Sequence, residues 1–114
     1  MPDNDIINNP IVRGITEDIV RICDPFRIFF VSGKTDKKGE LVSFKVCAVV
    51  KDSYTDLSAL ESEILLSTDC PIPCDVIAYN VSDWNECLDD DCTFASRIDN
   101  EGVILYEQTK QPHI

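Results

Sequence analysis

The chain has 114 residues, with 10 Lys and Arg against 21 Asp and Glu and a formal net charge of −11. That length suits a single domain, residues 1–114, and the composition, 44% hydrophobic and 27% charged, is that of a folded core rather than a disordered tail or a coiled coil. The excess of acid repels phosphate backbones and anionic lipid, which counts against nucleic-acid and membrane partners.

The start, Met1-Pro-Asp-Asn-Asp, is polar and acidic where a secretory signal is basic and then apolar, so a cytoplasmic location is expected. In that compartment the six cysteines are expected as reduced thiols. Over Ile6 to Cys23, apolar residues at Ile11, Ile15, Ile19 and Ile22 recur at helical spacing, with Pro10 near the first turn and Asp24-Pro25 as the stop. Phe26 to Val31 is β-branched and aromatic and reads as a buried strand. Ser32-Gly33 and a lysine-bearing connection, Lys34 to Glu40, lead to a second strand, Leu41 to Val50, whose apolar residues on both faces suit a central strand covered by helices. The longest apolar runs, Ile28 to Val31 and Val46 to Val50, fall far short of the roughly 18 residues of a membrane-spanning helix.

Ser53 or Thr55 is expected to cap a helix with an inner stripe of Leu57, Leu60, Ile64 and Leu65, Glu61 and Glu63 facing out. Pro71-Ile-Pro73 forces an extended entry into a third strand, Cys74 to Tyr79. Ser82 opens a short helix through Leu88, Asp89-Asp-Asp91 interrupts it, and Thr93 to Ile98 is helical again. Val103 to Tyr106 makes a last short strand, with a loose tail from Gln108 to Ile114. The expected fold is α/β, a small mixed sheet flanked by helices.

Residues 12–107 resemble the minimal nucleotidyltransferase domains of the polymerase-beta superfamily. Those domains carry an apolar strand, Gly-Ser, ten residues and Asp-x-Asp opening a second strand, then a third carboxylate on a further strand. Here Ile28 to Val31 leads into Ser32-Gly33, ten residues follow, and Phe44-Lys45-Val46 stands in the Asp-x-Asp place. Cys74-Asp75-Val-Ile-Ala-Tyr79 matches the third strand, and Phe94 to Ile98 with Glu101 to Glu107 matches the closing helix and strand. The resemblance implies a nucleotidyltransferase-like fold with the third carboxylate, Asp75, retained. It also implies a vestigial phosphate loop at Ser32, Gly33 and Lys34, inverted from Gly-Ser. Phe44 and Val46 offer no oxygen for Mg²⁺, so no catalytic residue, metal or cofactor is expected. Burying these two is favourable by roughly 1.5 to 3 kcal/mol each.

The leading expectation is thus a pseudoenzyme, a non-catalytic interaction or regulatory module. In the superfamily such small domains pair with a helical protein, a HEPN-like toxin for which they are the antitoxin-like half. The alternative is an active, Mg²⁺-dependent nucleotidyltransferase with a rearranged carboxylate set, Asp75 with Glu40 or Asp52. A third reading is a homodimer formed through an exposed strand edge. A pocket holding nucleotide without metal would use Lys34, Lys37, Lys38 or Lys45. Lys45 is also placed to pair with Asp75, which would put a salt bridge where a metal would sit; its plainer role is an edge position or a snorkelling stem. Cys70-x3-Cys74 and Cys87-x4-Cys92 faintly suggest a zinc site, against which ordinary packed thiols are the simpler reading. His113, the only histidine, lies in the tail.

Overall fold

The computed structural model describes residues 3–108. A short helix α1 (Asp3–Ile7) precedes α2 (Pro10–Cys23), which the Asn9 side chain caps by accepting the backbone N–H groups of Ile11 and Val12. Proline needs no donor at that first turn, so Pro10 starts α2 at no cost. Asp24 ends the helix in the left-handed region, φ 44°, with its N–H on the Val20 carbonyl.

The strands are β1 (Arg27–Thr35), β2 (Leu41–Val50), β3 (Cys74–Asn80) and β4 (Val103–Glu107). They form one mixed sheet in the order β3-β2-β1-β4, with β2 and β3 parallel and the other pairs antiparallel. The helices α3 (Leu57–Ser67), α4 (Val81–Leu88) and α5 (Phe94–Glu101) complete the chain. Helices α2 and α3 cover one face of the sheet, where Val12, Ile15, Ile19, Leu60 and Ile64 pack on Ile28, Phe30, Phe44, Val46 and Ala48. Helices α4 and α5 cover the other, where Trp84, Ala95 and Ile98 pack on Phe29, Cys47 and Val49. Strand β2 is therefore central, and its second half, Val46 to Val50, is buried on both sides, as that apolar run requires. Among the described residues no helix is long and apolar enough to cross a membrane.

Several local expectations are corrected. Strand β1 runs to Thr35 rather than stopping at Val31, because the segment after Phe30 keeps pairing with β2 in a hairpin. Helix α3 is capped by Asp56, whose carboxylate accepts the Ala59 N–H at 3.0 Å, not by Ser53 or Thr55. Leu65 lies outside the buried stripe, 43% exposed, whereas Glu61 turns to the sheet and accepts the Ala78 N–H at 2.8 Å. Helix α4 is capped by Asn80 rather than Ser82. The expected tail begins at Gln108, yet the Gln108 N–H donates to the Phe26 carbonyl at 2.9 Å. The rest of that tail, residues 109–114 with His113, lies outside the described residues.

Candidate functional site

A β-bulge between Phe30 and Ser32 decides where the side chains of the hairpin go. Phe30 lies opposite Val46, but Ser32 lies opposite Lys45, so Val31 is the extra residue. Past the bulge, Ser32 and Lys34 share a side with Lys45, while Gly33 falls opposite Phe44 on the side of α2 and α3. On the other flank of β2, Asp75 of β3 is in register with Lys45. The result is a groove of about 370 Å³ lined by Ser32, Gly33, Lys34, Ser43, Phe44, Lys45, Pro73 and Asp75.

This groove gathers the retained Asp75, two of the four lysines and all three residues of the expected phosphate loop. It does not place them as the resemblance implies. Ser32, Gly33 and Lys34 are paired strand residues rather than a loop. A Cβ on Gly33 would stand 2.7 Å from the Phe30 ring and 2.8 Å from a Leu41 methyl, so this glycine makes room for core side chains. Lys37 and Lys38 stay out at the hairpin turn, which Asp36 closes by accepting the N–H groups of Lys38 and Glu40 and which Gly39 allows with φ 82°.

Phe44 and Val46 lie on the opposite side of the sheet from Asp75. They are 4% and 0% exposed, and the Phe44 ring stacks on Phe30 with centroids 6.2 Å apart. Carboxylates at these two positions would point into the core beneath α2 and α3, away from the third one. The alternative set is scattered as well. Glu40 precedes β2 and Asp52 follows it, so they lie beyond opposite ends of the strand in whose middle Lys45 is in register with Asp75. Asp52 instead accepts the Ser82 N–H at 2.8 Å and the Ser82 hydroxyl at 2.6 Å, and these bonds lower its pKa below the ordinary value.

Lys45 is half-buried on an inner strand of the sheet, not at an edge, and lines the groove. No ion pair joins it to Asp75: those among the described residues are Arg21 with Asp18, Arg27 with Glu107 and Lys51 with Asp24. The lining therefore offers two ammonium groups, two hydroxyls and one carboxylate, an arrangement suited to holding a small anion or an acidic side chain. It contains no histidine and no thiol to act as base or nucleophile. Ser43 and Pro73 were missed from sequence; the hairpin register that sets Ser43 opposite Lys34 is the signal that could have found the first.

The cysteine pairs are separated by the sheet. Cys70 and Cys74 pack with the core beneath α2 and α3, and Cys87 with the core beneath α4 and α5, while Cys92 is exposed. Among the described residues no three His, Cys, Asp or Glu side chains are grouped to hold a metal. Trp84 stacks on Phe29 at 5.5 Å and meets Tyr79 edge-on at 5.3 Å, so Trp84 belongs to the core of that second face and the half-buried Tyr79 packs against it. No family model, no curated protein and no solved structure matches the chain.

Proposed function

We propose that the chain is a nucleotidyltransferase-like domain without metal-dependent catalysis, acting as an interaction or regulatory module. One observation carries this reading. The two positions that the resemblance assigns to metal-binding carboxylates hold Phe44 and Val46, packed into the core at 4% and 0% exposure, which supports the loss of metal chemistry; their facing away from Asp75 departs from the resemblance, in which the three positions share one side. A divalent ion that bridges nucleotide phosphates needs several oxygens on one side of the site. The groove supplies one carboxylate there, beside two lysines.

A net charge of −11 favours a basic partner, and the resemblance favours a helical one, with this domain as the regulatory, antitoxin-like half of a cytoplasmic pair. The test is incubation of the purified protein with radiolabelled ATP and millimolar Mg²⁺ or Mn²⁺, together with candidate protein and RNA acceptors. The expected outcome is no transfer of a nucleoside monophosphate and no metal-dependent gain in ATP binding. Transfer that Asp75→Asn abolishes would overturn the reading.

A further inference from the structure

We propose that the outer face of α3 is a docking surface for a basic amphipathic helix of a partner protein, with Leu65 and Leu66 as its apolar contacts. The proposal rests on the interaction-module reading for the existence of a partner, and it adds the surface and the partner's chemistry. Leu60 and Ile64 turn α3 to the sheet, whereas Leu65 and Leu66, at the end of the same helix, stay 43% and 87% exposed. Ser58, Ser62 and Leu66 follow one another at intervals of four, and Ser58, Ala59 and Ser62 are exposed as well. Side chains this small leave a shallow furrow before Leu66, into which a ridge of a second helix fits.

Charge selects the kind of helix. From Asp52 to Ser96 the chain has 11 Asp and Glu and no Lys or Arg, so this stretch carries the whole net charge of −11 and the rest of the chain is balanced. It contains α3, β3 and α4, and both helices pack on β3 at one end of the sheet. All of its carboxylates except half-buried Glu61 are exposed, and none of the ion pairs among the described residues involves them. Asp56 caps α3, Glu63 lies on it and Asp69 follows it. The last turn of α3 holds no basic residue, so the negative end of the helix dipole adds to Asp69 close to the two leucines. A helix with lysines or arginines on either side of an apolar stripe answers the exposed leucines and the uncompensated charge together. A second copy of this chain does not, because α3 against α3 sets like carboxylates side by side.

The test titrates the full chain with a synthetic amphipathic helix of about 20 residues, a leucine stripe between two rows of lysine, and reads Kd by fluorescence anisotropy and backbone amide shifts by NMR. The expected result is binding that shifts the amides of α3 most, weakens as NaCl rises, and disappears when glutamate replaces the lysines or serine the leucines of the synthetic helix. Leu66→Lys is expected to weaken binding at least about tenfold and Leu66→Met to keep it within about threefold. Ile104→Lys makes the same charge change on β4, at the opposite edge of the sheet, and is expected to leave Kd unchanged. No binding, shifts spread over the acidic stretch without preference for α3, equal losses from Leu66→Lys and Ile104→Lys, or a dimer of this chain that covers α3 would each overturn the proposal. Should a variant fail to fold by circular dichroism, the wild-type shift map and the two altered helices decide. A chain that transfers no nucleotide and binds no such helix overturns this proposal alone, whereas one that transfers nucleotide and binds the helix at α3 overturns only the non-catalytic reading.

Discussion

At Gly33 the missing side chain does more for packing than for ligand binding. A Cβ there would press on the Phe30 ring and the Leu41 methyl, both held in the core by their own neighbours. Gly33→Ala is expected to lower stability by about 1–3 kcal/mol, read as a lower urea midpoint with an unchanged m value, because overpacking a strand against a filled core forces its neighbours off their rotamers. Asp52 makes a different kind of prediction. Its two bonds from Ser82 favour the ionised form in the folded state alone, so the unfolded chain takes up the proton more readily. The stabilisation is complete above the unfolded value near 4 and is lost as pH falls through the lower folded value. Thermal melts of the wild type and Asp52→Ala between pH 7 and pH 2 are expected to differ near neutrality and to converge in acid.

Among the elements, α3 shows how a helix can be placed by one polar contact as well as by its stripe. Leu60 and Ile64 are buried, but Leu65 is 43% and Leu66 87% exposed, so the apolar face is narrow. Glu61 compensates by accepting the Ala78 N–H on the outer edge of β3. This contact also covers an amide that an edge strand would otherwise present to other chains. Glu61→Ala is expected to cost about 1–3 kcal/mol in chemical denaturation and to speed hydrogen exchange at the Ala78 amide. Leu66→Lys, by contrast, is expected to change stability by no more than about 0.5 kcal/mol, since that side chain has little contact to lose.

For the whole molecule, the net charge of −11 is spread over a small domain, and like charges repel most in the folded state, where they are closest. Raising NaCl from about 0.01 M to 0.15 M shortens the screening length from about 30 Å to about 8 Å. The melting temperature is expected to rise over that interval. A fall would mean that the ion pairs Arg27–Glu107 and Lys51–Asp24 outweigh the general repulsion. The same field draws basic partners, and salt is expected to weaken their association with the domain.

Hydropathy along the chain was enough to determine the four strands and the helices from α2 onward in their order, but not that a separate α1 precedes Pro10; β2 was placed to the residue, its Val46 to Val50 run being apolar without a break. The same pattern determined that one sheet is covered on both faces, and Pro25 determined that the helix stops at Asp24. Capping at Asp56 and Asn80 was not legible, since several hydroxyl and carboxylate residues lie within reach of each helix start and only the loop path selects one. The candidate site shows the limit most clearly. Six of its eight residues were named from the sequence, all but Ser43 and Pro73, but their sides were not, because one extra residue at Val31 re-phases the hairpin and a strand's side chains alternate with every step. Tertiary pairing alone decided that Phe44 and Val46 face the core while Lys45 and Asp75 face the groove.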